Sequence, residues 1–407
     1  MKTSAIALAL LACCLLPASG QGEAPGSASA FGLSGDLTAA VGLSAREALH
    51  GPIEFEEATA PSALRAVLSF ARGYRALGLL DFTFGSSNLL YESGGVSALR
   101  DTLSFDVNQV YADLNFGDLL YLRAGKQRLK WGAGWVFNPS DPVNPPKDPT
   151  RALQTNEGVP ALKTELITSV LSLVAFGTVF ERPQEFGIGG KISSSALAGS
   201  DFSLSAYWSP TESWTTALNL SVAPLYALPG WDTIQLWFEG GVYGEPRYRA
   251  LGPVPGPTGL QHALLAGVSA TLPVVRTALL AEYYHLSEGL SAGQESTLFA
   301  ALRGGSADLE ALGLRPARVG RDYAFLSVTQ GTITDNGHPV FDHIGLSSTV
   351  LVNLTDFSVF VRHGITTTFV EDSALELSVA WTAGGRDGEF ANLVPTVSGE
   401  LALKIYF

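Results

Sequence analysis

Along this 407-residue chain, apolar and polar residues alternate with a period of two in segment after segment, and turn-forming residues separate the segments. Successive side chains of a β-strand point to opposite faces, so each such segment describes a strand with one apolar and one polar face. Phe31, Leu33, Leu37, Ala39, Val41 and Leu43 alternate with Gly32, Ser34, Asp36, Thr38 and Gly42. Leu80, Phe82 and Phe84 enclose Asp81 and Thr83, and Phe202, Leu204, Ala206 and Trp208 enclose Ser203, Ser205 and Tyr207. The pattern returns over 64–70, around Gln235 and Trp237, at the even positions of 264–272, around Glu282 and over 375–381. In the final segment Val397, Leu401, Leu403, Ile405 and Phe407 share one face, and Ser398, Glu400, Lys404 and Tyr406 share the other.

Apolar strand faces must be covered either by a second sheet or by lipid, and composition favours lipid. Charged residues make up 15% of the chain, against about 25% in ordinary soluble domains, and mean hydropathy is positive. Beyond the amino-terminal segment no apolar run approaches the roughly 20 residues of a spanning helix. The nearest, 166–180, is rich in Ile, Val, Thr and Ser, which suits strands. Lipid admits only helices and closed barrels, because every backbone polar group must find a partner inside the protein. The sequence therefore predicts an all-β fold: one transmembrane antiparallel up-and-down barrel over 29–407. Roughly 16 to 18 strands are expected, in even number, with both termini on the periplasmic side.

Residues 1–20 read as a cleaved signal peptide: Lys2, an apolar run from Ala5 to Leu16, then Ala18, Ser19 and Gly20 before Gln21. Leu10, Leu11, Ala12 and Cys13 also form a loose lipobox, which leaves a lipoprotein signal as an alternative with a short apolar region. Residues 21–28 then form a short linker. Both cysteines, Cys13 and Cys14, lie in this segment, so the mature chain has no disulfide or thiolate metal site, and no cofactor is expected. A formal net charge of −13 disfavours nucleic acid as a partner.

Stretches 115–118 and 199–201 have the residues of tight turns, whereas 45–61, 131–160 and 287–320 carry Gly, Pro and charge and read as long loops. Short periplasmic turns and long extracellular loops are the expected asymmetry of an outer-membrane barrel. The richest segment begins with a basic strand carrying Arg123, Lys126, Arg128 and Lys130, and Gly125 marks a candidate bulge because Arg123 and Lys126 differ in parity. Lipid-facing charge costs roughly 2 to 4 kcal/mol at the bilayer midplane, so these side chains are candidates for the lumen. The stretch that follows holds Trp131, Trp135, Phe137, Asn138 and Asp141, and Pro139, Pro142, Pro145, Pro146 and Pro149 stiffen it up to and beyond Asp148. Counting strands makes it the third extracellular loop.

Gly125 to Gln127, Trp131 with Gly132, Asn138 with Pro139 and the terminal Phe407 together resemble Gram-negative outer-membrane porin-like barrels. The resemblance implies that the third loop folds inward as a constriction and that Tyr406 and Phe407 end a strand read by the barrel-assembly machinery. It also implies a small hydrophilic solute as cargo. Charge selectivity is not implied, because Asp141 and Asp148 are flanked by Lys147 and Arg151 in place of an acidic cluster.

Under this reading Arg123, Lys126, Arg128 and Lys130 form a basic ladder opposite Asp81, Glu165, Glu282 and Glu376. The competing reading pairs these charges inside a filled barrel that conducts little. Trp131, Trp135 and Phe137 are either a sugar-stacking track or packing aromatics. Outer-membrane lipid is the surrounding partner, and a homotrimer stays open because lipid-facing and subunit-facing strands alternate alike.

Two other classes remain. A non-conducting barrel would use its long loops for surface polysaccharide, assembly or adhesion. A barrel hydrolase would need a nucleophile and a base. The six histidines, His50, His262, His285, His338, His343 and His363, lack metal-ligand spacing. Gly289, Leu290, Ser291, Ala292 and Gly293 match Gly-x-Ser-x-Gly, with Glu282 and His285 a few residues upstream, but open a long loop where a nucleophile elbow requires a strand-to-helix turn. No catalytic activity is expected.

Overall fold

The computed structural model describes residues 29–47, 53–72, 76–92, 100–129, 131–144, 150, 158–179, 186–196, 199–210, 213–225, 233–244, 250–251, 254–272, 275–304, 316–334, 336–368 and 370–407. The expected signal peptide and linker, 1–28, lie outside the described residues, as do Lys130, Asp148 and the prolines at 145, 146 and 149.

Eighteen strands form one sheet that closes on itself. They begin with β1 (Ser29–Glu47), β2 (Ile53–Arg72), β3 (Ala76–Glu92), β4 (Arg100–Phe116), β5 (Leu120–Gln127) and β6 (Val159–Ile167). They continue with β7 (Ser172–Val179), β8 (Phe186–Ser194), β9 (Ser200–Ser209), β10 (Ser213–Val222) and β11 (Gln235–Tyr243). A two-residue hairpin, β12 (Ala250–Leu251) with β13 (Val254–Pro255), stands apart from the sheet. The barrel resumes with β14 (Gln261–Leu272), β15 (Thr277–Leu286), β16 (Asp322–Gln330), β17 (Ile344–Asn353), β18 (Val359–Thr367), β19 (Ser373–Ala383) and β20 (Val397–Tyr406).

Each barrel strand pairs antiparallel with its chain neighbours, and β1 closes the ring against β20 with Thr38 opposite Lys404 and Ala40 opposite Ala402. Gly35 and Phe407 exchange backbone hydrogen bonds of 2.9 and 3.1 Å at this seam. Closure removes both sheet edges, which is the condition for burying strands in lipid. Phe202, Leu204 and Trp208 on β9, Leu218 and Leu220 on β10 and Leu401, Leu403 and Ile405 on β20 are exposed on the outer face. Among the described residues no helix is long and apolar enough to cross a membrane, and the outward apolar strand faces are what meets the bilayer.

The turn at 117–119 shows how the sequence sets one end. Gly117 and Asp118 adopt positive φ of 66° and 58°, the left-handed conformation a tight hairpin demands, and the Asp118 N–H donates to Asn115 Oδ1 at 3.0 Å. The connections 73–75, 168–171, 195–199, 273–276 and 368–372 share this end, but so do the longer 223–234 and 331–343. The opposite end carries 128–158, 244–260, 287–321 and 384–396. Helix α1 (Ala292–Arg303) lies in the third of these and α2 (Glu389–Leu393) in the last.

The expected long loop over 45–61 is instead mostly strand. Ala45 pairs with Phe55, Arg46 with Glu54 and Glu47 with Ile53, after a register shift at Ser44 and Ala45. Charge at Arg46, Glu47, Glu54, Glu56 and Glu57 erases the apolar alternation, while the backbone ladder, which does not depend on hydropathy, continues.

Candidate functional site: the inner wall and the inserted loop

Strand register decides which side chains reach the lumen. On β5 the lumenal side carries Tyr121, Arg123 and Gln127. Arg123 binds Asp113 of β4 through two hydrogen bonds of 2.6 and 2.7 Å, its guanidinium 4.1 Å from the Tyr111 ring centroid. Both β4–β5 and β5–β6 run without a register shift. The bulge expected at Gly125 is absent, although Gly125 takes a φ of 129°. Lys126 therefore keeps the outward parity, opposite Val110 and Pro160, which corrects its assignment to the pore. Arg128, just past the strand, stands within electrostatic reach of Asp81 and Arg65.

The four expected acids each have a partner. Asp81 on β3 is 1% exposed and accepts Arg65 Nε and Nη2 at 3.0 and 2.7 Å. A bulge opposite Asp81 and Phe82 leaves Asn108 unpaired in the ladder, and its amide turns to Asp81 (3.0 Å) and Thr83 (2.9 Å). Glu165 on β6 accepts Lys163 Nζ at 2.9 Å and the Ser172 hydroxyl at 3.0 Å. Glu376 on β19 accepts Lys404 Nζ from β20 at 3.1 and 3.2 Å. The inner wall thus carries alternating, mutually neutralised charges where a one-sided basic ladder was expected. Asp113, Asn115, Tyr121, Arg123, Lys163 and Glu165 line a recess of about 580 Å³ on this wall.

Glu282 has another role. The stretch 131–144 lies inside the barrel, and the carboxylate of Glu282 on β15 accepts the N–H groups of Trp135, Val136 and Phe137 at 2.6, 3.0 and 3.2 Å, together with Trp237 Nε1 at 3.2 Å. Glu239 on β11 accepts the N–H groups of Ala133 and Gly134 and the Ser140 hydroxyl (2.8 Å). Consecutive N–H groups converging on a carboxylate form an anion nest, with the anion here supplied by the far wall. Gly132, at φ 64°, closes this clasp: a Cβ there would sit 2.2 Å from Asn138 Oδ1 and 2.4 Å from Glu239 Oε1. Glu239 carries no sequence signal that separates it from other strand acids, and it was missed.

The loop also builds its own interior. Asn138 donates to the Trp131 carbonyl at 2.9 Å. Asp141 caps the N–H groups of Val143 and Asn144 at 3.1 and 3.0 Å. Phe137 stacks on Tyr284 of β15 at 4.5 Å within an apolar cluster that includes Leu265, Tyr323, Leu351 and Phe390. Trp131 packs on Phe176 at 5.2 Å, in a second cluster with Val159, Ala161 and Tyr207. Trp131 and Phe137 are therefore packing aromatics, and only Trp135, 62% exposed, presents its ring. The two clusters take wall residues from β6 round to β19 and, among the described residues, none from β1–β4 or β20.

The residues of the hydrolase reading have other partners: Glu282 holds the inserted loop. Ser291 donates its hydroxyl to Gln294 at 2.9 Å as the first residue before α1, and His285 Nδ1 is 2.8 Å from Asp322 Oδ1.

No family model and no curated protein matches the sequence. Solved structures do match in fold. OccK11 (OpdR) of Pseudomonas aeruginosa aligns with a TM-score of 0.55 at 8% identity, covering 93% of this chain and 96% of that one. OccAB1 of Acinetobacter baumannii gives 0.55 at 10% identity, covering 92% and 96%. Both are outer-membrane porin-like barrels. Wzi of Escherichia coli, an outer-membrane protein involved in group 1 capsule assembly and described as a carbohydrate-binding β-barrel, gives 0.51 at 11% identity, covering 92% and 84%.

Proposed function

We propose that this protein is a passive outer-membrane channel for small hydrophilic solutes, with the inserted stretch 131–144 as its constriction. One observation carries the reading: a loop held by Glu239 and Glu282 packs through two apolar clusters that draw on the wall from β6 round to β19 and, among the described residues, take none from β1–β4 or β20, where charged pairs stand instead. Such a lumen offers polar contacts of both signs to a passing solute, with Arg65, Arg123, Lys163 and Lys404 each paired with an acid, which suits weak multi-site binding and release. The fold shared with OccK11 and OccAB1 agrees with this role. In this reading the end bearing 128–158 and 287–321 faces outward from the cell. The β20 strand ending in Tyr406 and Phe407 is what the assembly machinery engages, and a homotrimer is compatible with the outward apolar face.

Single-channel recording of the refolded protein in a planar bilayer tests the proposal. Stable conductance steps are expected, with Arg128→Glu moving the reversal potential toward cation preference and Lys126→Glu leaving it unchanged. A correctly folded barrel without conductance would overturn it. That outcome would favour a second reading, a non-conducting carbohydrate-binding barrel, which the apolar packing of the inserted loop inside the barrel and the likeness to Wzi support.

A further inference from the structure

The two loop helices meet the barrel wall through a polar contact that the channel reading does not use. Glu295 of α1 and Glu389 of α2 are both fully buried, and so are Asn353 at the end of β17 and Tyr323 at the start of β16. The single amide nitrogen of Asn353 donates to Glu295 Oε1 at 3.0 Å and to Glu389 Oε2 at 2.8 Å. Tyr323 adds its hydroxyl to Glu389 at 2.7 Å. Among the described residues the second oxygen of Glu295 has no hydrogen-bond partner. Around these groups Leu298 and Phe299 of α1 pack with Val254 of β13, Leu290 and Val319. On the solvent side Arg303 of α1 pairs with Asp387 and donates to Asn392 at 3.0 Å.

We propose that Glu295, Asn353 and Glu389 form a proton-dependent latch that holds α1 and α2 against the barrel end and releases them as the solution turns alkaline. Two buried carboxylates sharing one amide repel each other when both carry charge, in surroundings too apolar to screen them. The groups facing them include Asn353, Tyr323, the backbone N–H of Arg318 at 3.2 Å from Glu389, that of Val319, and the carboxylate of Asp356 in the turn after β17, which itself accepts the Glu389 N–H. Asp356 adds like charge. Burial, reinforced by Asp356 and Glu389, pushes the Glu295 carboxyl up to about 8. Burial also pushes Glu389 up to about 7. A carboxyl whose folded value is raised stabilises the closed form fully below its ordinary value of 4.5 and loses that contribution as pH rises toward the raised value. The window for release is therefore from mildly acidic to about pH 8.

Hydrogen exchange of the α1 amides in the refolded full barrel, corrected for intrinsic rates, reads the latch without requiring conduction. Between pH 5.5 and 9.5 protection is expected to fall at least about tenfold, since each unit of raised carboxyl value is worth about tenfold in the opening equilibrium. The double variant Glu295→Gln/Glu389→Gln keeps the shape and cannot ionise, so its protection should stay flat. Equal protection of the native protein at both pH values, or the same fall in the double variant, would overturn the latch. If the double variant does not give a heat-modifiable barrel, Glu295→Gln alone should show a smaller fall than the native protein, and an undiminished fall would overturn the proposal. Coupling of the latch to solute flow rests on the channel reading. Failure of that reading alone would leave pH-dependent exchange in a barrel without conductance.

Discussion

Asp81 shows how far one lumenal residue reaches. It is among the most buried polar side chains of the wall and binds Arg65 and Asn108 at once, so three strands meet on its two oxygens. Asp81→Asn keeps the volume but removes the charge. Hydrogen bonds to charged groups are worth about 1.5 to 3 kcal/mol, and a loss toward the lower figure is expected because Arg65 is partly solvated. Urea unfolding followed by tryptophan fluorescence should register that loss, and the reversal potential should move toward anion preference as Arg65 loses its counter-charge. The sequence announces Asp81 as lumenal by its place between Leu80 and Phe82. It does not announce the partner, which sits on the preceding strand, β2, and is brought beside Asp81 by the β2–β3 register.

At the scale of elements, the inserted loop is held by the wall more than by itself. Glu239 and Glu282 stand on β11 and β15, about a hundred or more residues along the chain from the N–H groups they accept. Replacing both with Ala removes the anchor while leaving every strand ladder intact. Truncation to Ala opens space in which water can meet those N–H groups, so the cost falls on loop position and little on the barrel. Conductance of Glu239→Ala/Glu282→Ala should become larger and noisier, and protease should nick 131–144, while the melting temperature of the barrel changes by only a few degrees. Unchanged conductance would separate the loop from the constriction. The proline content of this stretch predicts a stiff, non-strand segment. That the stiffness is directed inward depends on two acids the loop's own sequence does not contain.

At the scale of the whole molecule, the barrel sorts side chains by parity alone, and neighbouring residues on one strand meet opposite solvents. Leu401 faces outward and Ala402, next to it, faces the lumen. Arg at a lipid-facing midplane site costs roughly 2 to 4 kcal/mol, and lumen sites largely escape that penalty. Leu401→Arg should therefore slow or prevent folding into vesicles, whereas Ala402→Arg should fold near the native rate, with heat-modifiable gel migration as the measure. Equal effects would contradict the assigned faces.

The sequence by itself determined the fold class, because period-two alternation with few charges and no long apolar run leaves a closed barrel as the arrangement that pairs every backbone group in lipid. It also determined strand faces wherever alternation is clean, as in β9 and β20. It missed strands such as the start of β2, where charge hides a ladder made by the backbone. The face of Lys126, the pairing of each lumenal acid and the clasp on Glu239 and Glu282 were decided only by the tertiary structure. These depend on register and closure, which bring together residues far apart in the chain, and such contacts leave no local period for a sequence to display.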